Sequence, residues 1–229
     1  MTNNSGGGLR RFLIPVGLLA AVAGIWLGAD YFALSPGSDA ATTPPVEKMR
    51  GGTPLPAPKV LSPFSLTDQD AQPFGLDELK GRWTFVSIGF TACGYICPTN
   101  MATYKAIDRT IDAADGKPAV NFLFISVDPE RDSPERLGQY VRKFNPDFLG
   151  ATGSHDQLQD LTRTLGVMYA RSAEQEAGGT DYMVDHSASI LLIDPQARLV
   201  AVFSWPHDSD AMAADFAVMT DYYYRSGAG

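Results

Sequence analysis

A chain of 229 residues, 45% hydrophobic and 19% charged, has the composition of a folded globular protein with room for one sizeable domain. Its net charge of -8 leaves no Lys/Arg excess to neutralise phosphates, which excludes nucleic acid as a partner, and no fixed-period repeat points to a solenoid or propeller. Two cysteines are too few for a disulfide-stapled mini-protein, and a core of this size needs no staple.

In chain order, Arg10 and Arg11 precede an uncharged, mostly apolar run over 12–29 that Asp30 ends. As a helix rising about 1.5 Å per residue, such a run reaches about 27 Å, near the roughly 30 Å hydrocarbon core of a bilayer. The expectation is a transmembrane anchor at 12–29 with residues 1–11 cytoplasmic, since no Lys or Arg follows the run until Lys48. Trp26, Tyr31 and Phe32 stand where an aromatic belt would lie at the far interface. The competing reading is a signal peptide cleaved at the small-x-small pattern Ala21-Val22-Ala23. The apolar run continues past it through Ile25-Trp26-Leu27, which favours an uncleaved anchor. Both readings export the rest of the chain, and no cysteine follows closely enough to carry a lipid.

Residues 30–59 hold Pro36, Pro44, Pro45, Pro54, Pro56 and Pro58, and are expected to form an extended spacer that pairs in no sheet. The folded domain is expected over 60–229. Its first element reads as a hairpin, 64–67 and 72–74, around Asp68-Gln69-Asp70. The apolar, aromatic and β-branched run 83–90 reads as a buried strand. Met101, Tyr104, Ile107 and Ile111 then recur at helical spacing over 99–113. A second buried strand, 120–127, is followed by a helix at 133–144 with Pro134 in its first turn, and another at 156–165 closed by Gly166. The runs 182–193 and 199–203 read as a hairpin around Asp194-Pro195-Gln196-Ala197, and 208–224 as a last helix. A β-α-β start with a β-β-α finish calls for a central mixed sheet covered by helices on both faces. The expected fold is therefore α/β and thioredoxin-like, with an added N-terminal β-hairpin and one preceding transmembrane helix.

The segment Cys93-Gly94-Tyr95-Ile96-Cys97-Pro98 falls where the first long strand ends and a helix begins, at the end of an open α/β sheet where ligands bind. Pro98 suits a first helical turn, which puts Cys97 at the helix N-terminus, where the dipole and free N–H groups favour thiolate. Cys93 lies one turn earlier, so the two sulfurs can converge. Two thiolates form a soft pair suited to Cu(I), and Zn(II) fits the same chemistry. Two sulfurs leave such a site incomplete, and a neutral imidazole is the natural third donor. His186, at the start of a strand expected opposite the cysteines, is the candidate. An isolated histidine is more often a hydrogen-bonded structural residue, and its place opposite a cysteine pair reverses that balance.

The Cys-x-x-x-Cys-Pro segment, Ser126-Val127-Asp128-Pro129-Glu130-Arg131-Asp132 and Val184-Asp185-His186-Ser187 together resemble the Sco/SenC family, in order and spacing, over the region from 60 to 224. That resemblance implies a membrane-anchored thioredoxin-fold protein that handles copper during assembly of haem–copper cytochrome oxidases. It implies Cys93, Cys97 and His186 as ligands of a copper ion, Cu(I) or Cu(II). The implied partner is the oxidase subunit that carries the dinuclear copper centre, with other periplasmic copper carriers as further candidates. The implied location is a bacterial inner membrane, single pass, with the domain in the periplasm as a monomer by default. The chain departs from the pattern at Gly94, where members often carry proline, and this loosens the loop without touching the ligands.

Asp128 admits two readings, a group that tunes the site from behind the ligands and a simple strand-ending turn residue. Met101, Met168 and Met183 are potential thioether donors, although methionine at such spacings usually fills a core. His155 and His207 read as solvated or capping residues, and 172–180 as a loop beside the site. Three functions compete: a copper chaperone, a thiol–disulfide oxidoreductase using Cys93 and Cys97 as catalytic residues, and an inert disulfide. Three residues between the cysteines, where redox enzymes have two, favour metal over exchange. An accessible pair at a helix N-terminus keeps exchange open.

Overall fold

The computed structural model describes residues 45–112, 118–170, 178 and 182–227. They lie within one unit spanning Pro44–Gly229. Fourteen elements follow: β1 (Gly52–Val60), β2 (Leu66–Asp68), β3 (Pro73–Phe74), β4 (Trp83–Gly89), α1 (Ile96–Asp112), β5 (Val120–Ser126), α2 (Pro134–Val141), β6 (Leu149–Thr152), α3 (His155–Leu165), β7 (Tyr169–Ala170), β8 (Asp185–His186), β9 (Ile190–Ile193), β10 (Arg198–Phe203) and α4 (Ser209–Arg225).

Eight strands form one mixed sheet in the order β1-β10-β9-β4-β5-β6-β2-β3. The central strands β4, β5 and β6 run parallel, and β9 pairs antiparallel with β4. β4 is buried along its whole length and β5 from Phe122 onward, because both faces of these two strands are covered. Trp83 and Phe85 of β4 and Phe122 and Phe124 of β5 pack on one face with Met101, Tyr104 and Ile107 of α1 and Phe216 of α4. Val86 and Ile88 with Leu123 and Ile125 pack on the other, against Leu158, Leu161 and Leu165 of α3. This is the thioredoxin-like mixed α/β arrangement that the element order called for, and the β2–β3 hairpin forms with Leu66 opposite Phe74.

Helix ends carry the signals read from the sequence. Ser133 accepts from the Arg136 N–H with Pro134 in the first turn of α2, and Ser154 forms a capping box with Gln157 at α3. Gly166 closes α3 at φ 76°, a left-handed position that favours glycine.

Four expectations change. The proline-rich stretch does enter the sheet: β1 pairs antiparallel with β10, its register shifting between Pro54 and Lys59. An edge strand has outer N–H groups with no ladder to lose, so proline is tolerated there and blunts the edge. The start of β1 is pinned by buried Asp215 of α4, which accepts from the N–H groups of Arg50, Gly51 and Gly52 at 2.7, 2.8 and 2.7 Å. The expected long strand over 182–193 is broken: β8 pairs with β7 in a separate two-stranded ladder, and only β9 joins the main sheet. β6, unforeseen, continues the parallel array beside β5.

The fourth change concerns the membrane. No helix of the described residues is long and apolar enough to cross a bilayer. The anchor expected at 12–29 lies outside those residues, as do the N-terminal segment 1–11 expected to be cytoplasmic and residues 30–44 of the spacer. The described residues thus do not support the transmembrane helix or the single-pass inner-membrane location expected from the sequence.

Candidate metal centre

Gly89 ends β4, and the chain turns at once, the Cys93 N–H donating to the Phe90 carbonyl at 3.1 Å. Two residues before Cys93, Thr91 is held by a buried carboxylate. Asp132 accepts from the Thr91 N–H at 2.7 Å and its hydroxyl at 2.5 Å, and from the Ser126 hydroxyl at 2.6 Å. The approach of the loop to α1 also depends on Gly89, because a Cβ there would collide with Cys97 Sγ. The sequence shows Asp132 only as the end of the 126–132 segment and Gly89 only within a strand run, and neither role is legible there because both act across tertiary contacts. Gly94 has ordinary negative-φ backbone with open space around it, so nothing in the loop demands glycine.

Cys97 occupies the first turn of α1 and is fully buried; Cys93 is part-exposed above it, and both are free thiols. The Cys97 N–H points at Cys93 Sγ, 3.5 Å away. From the opposite side β8 brings His186, whose Nε2 lies 3.6 Å from Cys97 Sγ. Its Nδ1 faces the Ser187 carbonyl at 3.0 Å, which leaves Nε2 as the atom available to a metal. The two sulfurs and the imidazole nitrogen all lie within 4.8 Å of one another. With metal bonds of about 2.3 Å to sulfur and about 2.0 Å to nitrogen, a trigonal site would separate S and N by about 3.7 Å. The donor atoms thus stand at ligating separation, and the set is soft enough for copper.

The electrostatics correct one local expectation. The thiolate belongs to Cys93, not to Cys97. Hydrogen bonding from Cys97, with a further contribution from His186, pulls the Cys93 pKa down to about 3. Cys97 is raised by the Cys93 thiolate and by burial. For His186 burial opposes protonation, but the Cys93 thiolate, the Ser187 carbonyl and the charge of Asp185 together raise its pKa. The reduced site therefore favours a Cys93 thiolate with the remaining thiol proton on Cys97, beside a His186 imidazole that protonates more readily than usual.

Asp128 does not join the donor atoms. It is fully buried, and its carboxylate accepts from Tyr182 Oη at 2.6 Å and Arg131 Nε at 2.5 Å. Met101 is core, whereas Met168 and Met183 are exposed on the segments flanking β7 and β8. Neither outlying histidine is simply solvated. His155 begins α3 but lies between Glu130 (2.7 Å) and Tyr169 (3.2 Å), and half-buried His207 faces the Ala188 carbonyl at 3.0 Å. Of the loop expected over 172–180, only Gly178 is among the described residues. Tyr95, between the cysteines, is exposed and stands edge-on to Trp205 at 6.1 Å.

Fold and site together define a thioredoxin-like protein with two thiols and one imidazole gathered at the end of its central sheet. The chain belongs to the SCO1/SenC family, whose model matches residues 52–221. It is 37% identical over 145 residues to an SCO2-like protein of Rickettsia prowazekii, which covers 63% of this chain and 69% of that one. It is 33% identical over 199 residues to a mitochondrial SCO2 homologue of Bos taurus, covering 87% of this chain and 71% of the relative. Among solved structures it is similar to Arabidopsis thaliana ScoI with copper bound, at 34% identity and a TM-score of 0.64 over 72% of this chain and 99% of that one.

Proposed function

We propose that this protein is a copper chaperone that binds the ion through Cys93, Cys97 and His186 and delivers it to the copper-site subunit of a cytochrome oxidase. The convergence of the three donor atoms within 4.8 Å carries the reading. The copper-bound ScoI of Arabidopsis thaliana supports copper as the metal, and two thiolates favour Cu(I) for the cargo. The recipient follows from family membership. Exposed Tyr95, Trp205, Met168 and Met183 lie on the segments around the donors, on the surface that a metal acceptor has to meet.

The test is a copper titration of the reduced protein with a competing chelator. His186→Ala should weaken Cu(I) binding by about one to two orders of magnitude and reshape the thiolate-to-copper charge-transfer band of the Cu(II) form. Unchanged affinity and spectrum would sink the ligand assignment.

A part-exposed thiolate above a buried thiol also favours a second reading, thiol–disulfide exchange. Cys93 would attack a partner disulfide, releasing one partner thiolate. Cys97, losing its proton, would then displace the second, leaving a reduced partner and a Cys93–Cys97 disulfide for a thiol reductant to restore. His186→Ala separates the readings: a chaperone loses oxidase copper loading in cells, whereas a reductase retains it.

A further inference from the structure

His186 reaches the cysteines on a weak support. β8 is two residues long and belongs to a two-stranded ladder outside the main sheet. Beyond it the Ser187 N–H donates to the Met168 carbonyl at 3.0 Å and the Ser187 carbonyl faces Nδ1, both within the same short segment, so the ring also depends on side chains packed against it from elsewhere. We propose that Arg131 is a positioning residue for His186, acting through Tyr182 and Phe90 without touching the metal. The inference rests on the copper reading above.

Arg131 joins three segments that are far apart in sequence. Its Nε donates to Asp128 Oδ2 at 2.5 Å, at the end of β5. Its Nη1 donates to the carbonyl of Tyr182 at 3.0 Å, four residues before His186. The guanidinium lies over the Tyr182 ring, with Cζ 3.7 Å from the centroid, and Cζ is 5.4 Å from the centroid of the Phe90 ring. The Tyr182 hydroxyl returns to Asp128 Oδ1 at 2.6 Å, closing a loop of contacts. Phe90, fully buried, then stands edge-on to the His186 ring, centroids 5.8 Å apart and planes at 85°.

A planar fork that hydrogen-bonds along its edge and stacks on its face suits this task, and lysine offers only a point charge. The downstream end of the histidine segment is tied separately: the Ala188 carbonyl accepts from Asn100 Nδ2 at 3.3 Å and faces His207 Nε2 at 3.0 Å. Loss of Arg131 therefore frees only the upstream end. The effect should be the roughly 10- to 100-fold loss of metal affinity typical of groups that orient a ligand, short of abolition.

The test uses the full-length reduced protein with Arg131→Met and Arg131→Lys. Cu(I) affinity is read by chelator competition, imidazole nitrogen coupling by electron paramagnetic resonance of the Cu(II) form, and the Cys93–Cys97 potential by glutathione equilibration. R131M is expected to lose about 10- to 100-fold in copper affinity, R131K less, with weakened nitrogen coupling. The thiol–disulfide equilibrium constant should change by a smaller factor than the copper affinity, because the cysteine loop keeps its Asp132 anchor and loses only part of the His186 contact. Affinity within threefold of wild type, with nitrogen coupling intact, overturns the proposal. So does a lower melting temperature as the sole change, which marks a merely structural role. Should R131M leave Asp128 uncompensated and fail to fold, R131K decides by the same readouts. Failure of the copper reading would appear in the wild type itself, which would take up no copper, and would remove the positioning role with it.

Discussion

Replacing Asp132 tests whether the loop carrying Cys93 is held by a buried carboxylate. Asp132 is fully buried and receives three hydrogen bonds at 2.5 to 2.7 Å, two from Thr91 and one from Ser126. Hydrogen bonds to a charged group contribute about 1.5–3 kcal/mol each, and they are not additive. In Asp132→Ala the two hydroxyls can rotate to other acceptors, but the Thr91 N–H cannot. Arg136, 3.7 Å away and half-exposed, contributes little through its charge. The expected cost is about 3–5 kcal/mol, a large part of the roughly 5–15 kcal/mol that holds a typical domain together. Urea unfolding of the reduced, metal-free protein measures it as a fall in midpoint at unchanged slope. Asp132→Asn keeps one acceptor oxygen and should fall between the two. Because Thr91 precedes Cys93 by two residues, copper affinity should fall along with stability. A loss below about 1 kcal/mol with unchanged copper binding would refute the reasoning, since the carboxylate would then be holding nothing that matters to the loop.

Two further predictions concern the thiols and the histidine. With its pKa near 3, Cys93 should be alkylated by iodoacetamide at a rate that is flat between pH 5 and pH 8, while buried Cys97 resists until the protein unfolds. Equal labelling, or Cys97 first, would reverse the assignment of the thiolate. Copper binding must expel a proton from Cys97, and below the raised pKa of His186 a second proton from the imidazole. Apparent affinity should therefore climb about 100-fold per pH unit on the acid side of that pKa and about tenfold per unit on the alkaline side. Chelator competition across this range measures the slope, and a flat profile would contradict the proton count.

Features set by neighbouring residues were legible in the sequence. The strands β4 and β5 announce themselves as runs rich in apolar, aromatic and β-branched residues, α1 by its helical spacing, and α2 and α3 by Ser133-Pro134 and by the Ser154 cap with Gly166. The Cys-x-x-x-Cys-Pro spacing and His186 were visible for the same reason, as residue types whose chemistry does not depend on the fold. Tertiary structure decided what depends on distant partners. Pro54, Pro56 and Pro58 argue against a strand locally, yet β1 pairs because only its inner edge meets β10. Four residues of β6 carry no readable period and become a strand by lying beside β5. A helix N-terminus favours thiolate at Cys97, but the hydrogen bond with Cys93 and then burial keep the proton there. Asp132, Arg131 and Gly89 owe their roles to segments brought together by folding, and no local pattern in the chain encodes that meeting.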